Sequence, residues 1–184
     1  ISAVIFEDYA KGALSRGLIE EAARAAAKKG IFTALDPHPT HPMNIKGLSL
    51  MTPNRSEAFG LAGVYARDAA ADPEKDKALA DVAKRLQDLW EPEFLLITLG
   101  AKGMALFEKN GGLTVIPTRA REVFDVSGAG DTVIAAFTLA RICGAEPAEA
   151  ADIANHAAGI VVGKIGTATV TVDELKLSFL QNRD

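Results

Sequence analysis

The chain has 184 residues, 48% of them hydrophobic and 24% charged, with a formal net charge of −4 at pH 7. This suits one well-packed globular domain. The scattered basic residues give no electrostatic footprint for nucleic acid, no apolar run reaches a membrane span, and no signal peptide is visible. The single Cys143 excludes an internal disulfide and fits a reducing, cytoplasmic setting.

The chain enters directly on Ala3-Val4-Ile5-Phe6, which reads as a core strand. Domains usually begin on something more dispensable, so the chain is expected to be the later part of a longer protein. Ser15 caps a helix predicted through Lys29 and stopped by Gly30. Ile31–Leu35 reads as a second strand ending at Asp36-Pro37, and Leu48–Met51 as a third ending at Thr52-Pro53-Asn54. A short helix is predicted from Ser56, and after Asp72-Pro73 a polar helix runs to about Trp90. The stretch Ala66–Lys77 reads as a mobile surface segment. Phe94–Thr98 is almost wholly apolar, as expected for a strand covered on both faces. Met104–Phe107 and Leu113–Ile116 flank Lys109-Asn110-Gly111-Gly112, a hairpin signal. Helices follow over Asp131–Cys143, over Pro147–Gly163 and from Asp173. The alternation predicts an α/β fold with a mainly parallel sheet sandwiched between helices. Such sheets bind ligands beyond the carboxyl ends of their strands. That rule places Asp8-Tyr9, Asp36-Pro37, Asn54 with Glu57, and Thr98-Leu99-Gly100 on one rim.

The run from Asp125 to Thr132, Asp-Val-Ser-Gly-Ala-Gly-Asp-Thr, leads into the apolar Val133–Phe137. Small residues leave its amides open at a helix N-terminus, where unpaired donors and the helix dipole attract an anion. Asp131 beside such a pocket is placed to take the proton of an attacking hydroxyl. A dinucleotide fingerprint would need glycine where Val133 stands, and a Walker A loop would need Gly-Lys-Ser/Thr. The plainer alternative is a glycine-rich turn with Asp131 as an ordinary N-cap. Asn54 and Glu57, three apart at a helix start, suit Mg²⁺ held through its waters, or a capping box. Thr98-Leu99-Gly100-Ala101-Lys102-Gly103 allows close backbone approach to a ligand, or simply turns the chain. His38 and His41, in a proline-rich loop, lack the further ligands that zinc needs and read as solvated. Asp8 and Lys11 suit sugar hydroxyls or a substrate phosphate, or a surface ion pair.

The segment centred on Gly128-Ala129-Gly130-Asp131 resembles the second signature of the ribokinase-like (PfkB) carbohydrate kinases. The resemblance implies ATP and Mg²⁺ as cofactors, Asp131 as catalytic base, and the amides of Gly128, Ala129 and Gly130 around the transferred phosphoryl group. It implies a metal and phosphate role for Asn54 and Glu57, and nucleotide contacts at Thr98, Gly100, Gly103 and Asn155. A loop near the nucleotide, often beside a monovalent cation such as K⁺, falls at Gly163–Thr169. Relatives of about 300 residues make the chain the C-terminal part of a single kinase domain, carrying its nucleotide-binding and catalytic portion. The stretches 8–14, 122–133 and 157–167 resemble the heptose-7-phosphate kinases, the kinase half of bifunctional ADP-heptose synthases of lipopolysaccharide biosynthesis. That branch implies phosphorylation of the anomeric hydroxyl of D-glycero-D-manno-heptose 7-phosphate in the cytoplasm, with a homodimer allowed. His38 departs from it, since relatives carry Lys after Asp-Pro. Alternatives are another sugar or nucleoside kinase of the ribokinase or fructokinase type, or a nucleotide-binding module without catalysis.

Overall fold

The structure, a computed structural model, describes residues 1–66, 68–120 and 122–181. Six strands form one sheet in sequential order: β1 (Ala3–Glu7), β2 (Phe32–Asp36), β3 (Leu50–Met51), β4 (Phe94–Thr98), β5 (Met104–Glu108) and β6 (Leu113–Ile116). β1 to β4 run parallel, and β4–β5 and β5–β6 are antiparallel. The four parallel strands therefore deliver their carboxyl ends to one rim, as the alternation of elements predicts.

Helices cover both faces. On one lie α1 (Arg16–Ala27), α2 (Arg55–Leu61) and α3 (Lys77–Trp90), and on the other α4 (Ala129–Ile142) and α5 (Pro147–Val162). The last helix, α6 (Val172–Gln181), packs on α5. Residue alternation along β4 explains the two cores. Leu95 and Ile97 join Leu86 and Trp90 on the first face, while Phe94 and Leu96 meet Ile134 and Phe137 on the second. The alanines of α5, Ala150, Ala151, Ala154 and Ala158 among them, let it lie close to α4 beneath that second core. No helix among the described residues is long and apolar enough to cross a membrane.

Element boundaries differ from the sequence expectation where side chains compete with the backbone. Ser15 caps α1 by accepting the Leu18 amide at 3.3 Å, and Gly30 adopts a left-handed φ of 63° just beyond the helix. The strand β3 proper is only Leu50–Met51, although Ser49 N also donates to Thr33 O at 2.9 Å, and the side chains of Thr33 and Ser49 each accept the other residue's amide (3.2 and 3.1 Å). The helix expected after Asp72-Pro73 is divided. A 3₁₀ turn over Pro73–Lys75 stops at Asp76, whose buried carboxylate caps α3 through the Leu79 amide and pairs with Arg55 at 3.1 Å. Lys102 Nζ donates to the carbonyls of Ala69 and Ala70, which ties the 66–77 stretch to the loop after β4, although Arg67 lies outside the described residues. α4 begins two residues before Asp131.

Phe137 is wholly buried, its ring 6.0 Å from that of Phe94, and it fixes α4 on the sheet. Phe137→Ala is expected to cost about 3–5 kcal/mol in urea denaturation; a loss below about 1 kcal/mol would mean that α4 is anchored elsewhere.

Candidate active site

The N-terminus of α4 begins at Gly128, the N-cap, whose φ of 78° is a left-handed conformation that glycine adopts without strain. Ala129 N donates to Val126 O at 3.2 Å and Thr132 N to Gly128 O at 3.0 Å. Between them the amides of Gly130 and Asp131 have no acceptor among the described residues. The Ala129 amide, expected to face an anion, is thus already bonded. The loop before the helix is held by Asp125, which accepts Ser127 N at 2.9 Å and Gly166 N at 3.2 Å. Those two bonds keep the Asp125 carboxyl below its usual range and tie the loop to the Gly163–Thr169 segment.

A cleft of about 690 Å³ opens between this loop and the strand ends. Its lining includes Asn54, Glu57, Thr98, Gly100, Gly103 and Asn155, together with Ala129 and Gly130. Eight sequence-predicted residues from four separate segments are thus brought to one cavity. Asn54 and Glu57 also close a reciprocal capping box, Glu57 N to Asn54 Oδ1 at 3.0 Å and Asn54 N to Glu57 Oε2 at 2.8 Å. Their donor set, one carboxylate and one amide oxygen at the cleft wall, fits a hydrated Mg²⁺. Buried Asn155 donates from Nδ2 to Pro117 O at 2.6 Å, so its amide group also holds the segment after β6. Gly103 has φ 86°, and a Cβ there would lie 2.0 Å from Ile116 O, so this glycine lets β6 close against the loop.

Asp8 and Lys11 take other places. The Asp8 carboxylate is buried and accepts Ala10 N and His41 Nδ1, both at 2.8 Å, so it fastens its own turn to the loop after β2. His41, read from sequence as solvated, is that partner. Lys11 reaches over the exposed Tyr9 ring at 5.9 Å. Neither Asp8 nor Lys11 lines the cleft.

Sequence reasoning placed Tyr9 and Asp36 on the rim without assigning them a role, and passed over Glu7. The carboxyls of Glu7, Asp36 and Asp131 have oxygens within 4.8 Å of one another. Burial, then the hydrogen bond with Asp131 and the charges of Asp131 and Asp36, push Glu7 up to about 8. Burial and the charges of Glu57 and Asp131 push Asp36 up to about 7, partly offset by the Thr52 hydroxyl at 3.2 Å. Interaction with Asp131, then burial, pushes the Tyr9 hydroxyl up to about 12. The signal available in sequence was the period of β1 and β2. Glu7 and Asp36 are register partners at adjacent strand ends, so their side chains share a face.

A family model described as pfkB family carbohydrate kinase matches residues 4–174. The bifunctional protein HldE of Geobacter metallireducens is 42% identical over 172 residues, covering 94% of this chain and 34% of that protein. HldE of Halorhodospira halophila is 45% identical over 175 residues, with the same coverage. The chain spans about a third of the length of these curated relatives. Among solved structures, Arabidopsis thaliana ribokinase complexed with ribose and ATP matches with a TM-score of 0.81 at 23% identity, over 96% of this chain and 55% of that one. Thermotoga maritima ribokinase matches at 0.78 and 23% identity, over 98% and 57%. At such identities the structural likeness establishes the ribokinase-like fold.

Two outcomes follow from the geometry. Gly103→Ala should destabilise the protein by at least about 1–3 kcal/mol in denaturant, because backbone must shift to admit the Cβ; an unchanged midpoint would contradict the close approach. Glu7 and Asp36 bind more protons folded than unfolded between the ordinary carboxylate range and about 8 and 7. Their contribution is fully present in acid and lost as pH rises through those values. Calorimetry should show Tm falling from about pH 5 to about pH 9, by roughly 2–4 °C for each kcal/mol lost, and falling less in Glu7→Gln. A pH-independent Tm would contradict the raised values.

Proposed function

Because the chain belongs to the pfkB family of carbohydrate kinases, we propose that it carries the nucleotide-binding and phosphoryl-transfer portion of an ATP-dependent sugar kinase. The observation that carries this reading is Asp131 in the first turn of α4, beside amides without acceptors and at the edge of a nucleotide-sized cleft. Asp131 accepts the proton of the attacking sugar hydroxyl while its oxygen bonds to the γ-phosphorus of ATP and ADP leaves. The amides of Gly130 and Asp131, with Gly128 shaping the turn, carry the charge on the transferred group. Little covalent work falls to the protein, so positioning and electrostatics dominate. Thr98, Gly100, Gly103 and Asn155 line the nucleotide's berth. Asn54 and Glu57 would hold Mg²⁺, and the ion would neutralise phosphate charge.

For the acceptor we propose the anomeric hydroxyl of D-glycero-D-manno-heptose 7-phosphate, giving the 1,7-bisphosphate. Support comes from the 42–45% identity to HldE proteins and from the three stretches that resemble heptose-7-phosphate kinases. Asp8 enters this reading only by shaping the rim, and Lys11, with its ammonium exposed beside Tyr9, is the candidate contact for an acceptor phosphate. K⁺ is proposed near the Gly163–Thr169 loop, where turnover in KCl against tetramethylammonium chloride tests it.

ADP release by the full-length gene product, with Mg·ATP and heptose 7-phosphate, ribose, fructose or adenosine, tests the assignment. Turnover confined to the heptose phosphate is expected. Turnover on another of the four would keep the kinase and change the acceptor, and ATP binding without turnover on any would favour a binding module. Asp131→Asn should keep ATP affinity and lose roughly 10²–10⁴-fold in kcat. Turnover like that of the wild type in this variant would overturn the role of Asp131.

A further inference from the structure

We infer that the end of β1 positions the base: Glu7, as a carboxylic acid, and Tyr9, through its hydroxyl, both donate to the Asp131 carboxylate and hold it oriented. The inference rests on the kinase reading for the role of Asp131, but its physical content concerns only this cluster.

The argument begins with the pleat. Ala34 of β2 packs into the core beneath α4, and Ile5 is its register partner on β1. Two residues on, Glu7 and Asp36 therefore point toward the same helix, and Tyr9 lies just beyond the end of β1. The first turn of α4 brings Asp131 to meet them, and Gly130 passes so close that a Cβ there would lie 3.7 Å from Asp36 Oδ2. As a carboxylate, Glu7 would leave Oε2 sealed from water without a partner, an unfavourable state for a charged oxygen. As an acid it supplies the proton for its bond with Asp131. Three carboxyls within 4.8 Å cannot all carry charge at neutral pH without strong repulsion.

The division of charge then follows from surroundings. Glu7 faces Asp131 from α4, Asp36 from β2 and the Tyr9 hydroxyl, and burial beside these like charges favours its protonated form. Asp131 sits at the positive end of α4 and receives the Tyr9 hydroxyl as a second donor. Asp36 in addition faces Glu57 from α2 and accepts the Thr52 hydroxyl. One proton shared from Glu7 thus leaves Asp131 free to accept another from substrate. Two donors on its oxygens fix which lone pair remains. Glu7 and Tyr9 are positioning residues, since they act through Asp131.

Carboxyl carbon-13 NMR of the chain tests this without turnover. One glutamate should titrate near pH 8, vanish in Glu7→Gln, and fall by at least about one unit in Asp131→Asn, where the like charge is gone. A Glu7 that titrates in the ordinary carboxylate range, or whose titration ignores Asp131→Asn, would overturn the inference. Should no sugar be phosphorylated, the kinase reading fails and the titration still decides whether the pair shares its proton. In the active enzyme, Glu7→Ala and Tyr9→Phe should each lower kcat, by roughly tenfold for Glu7→Ala, with KM for ATP little changed. Glu7→Gln, which keeps a donor, should recover most of the loss and remove the alkaline limb near pH 8. A loss confined to KM, or no recovery by Gln, would also overturn it.

Discussion

Everything at the candidate site depends on holding the first turn of α4 against the ends of β1 and β2. Two interactions do this from different directions. The apolar body of α4, with Ile134 and Phe137 wholly buried, presses the helix on the sheet. Asp125 meanwhile ties the incoming loop to Gly166, so the Gly128 turn is fixed at both its ends. The consequence is a helix terminus at which the amides of Gly130 and Asp131 find no acceptor among the described residues. An unpaired donor is costly in a buried setting, so its persistence at the mouth of a cleft is what a binding site for an anion requires.

The same packing crowds carboxyl groups. A site for an anion would be expected to gather positive charge, yet Glu7, Asp36, Glu57 and Asp131 converge beside this helix terminus. Burial and like charge push Glu7 up to about 8 and Asp36 up to about 7, while Asp131 lies at the positive end of α4. Stability is thereby linked to pH, because the fold closes over Glu7 and Asp36 more easily when they hold their protons.

Much of this was legible in the sequence. The glycine-rich turn before an apolar helix marked the start of α4, and Asn54-x-x-Glu57 marked a helix start that the structure shows as a capping box lining the cleft. Parallel strands alternating with helices placed all four strand ends on one rim. What escaped notice was set by tertiary contact. Asp8 looked available for substrate, but the turn at Ala10 and the distant His41 occupy it. Glu7 looked like the polar end of a strand, and only the docking of α4 gives it Asp131 as a neighbour. Asp76 divided a helix that periodicity made continuous, because its partner Arg55 comes from another segment.

The central claim is that nucleotide phosphates lie at the first turn of α4, and amide NMR of the chain titrated with Mg·ATP reads it directly. The account predicts that the largest shifts fall on the amides of Gly130 and Asp131, with further changes at Thr98, Gly100 and Asn155. Shifts centred away from α4, or none at millimolar nucleotide, about the weak limit for a specific nucleotide site, would contradict it.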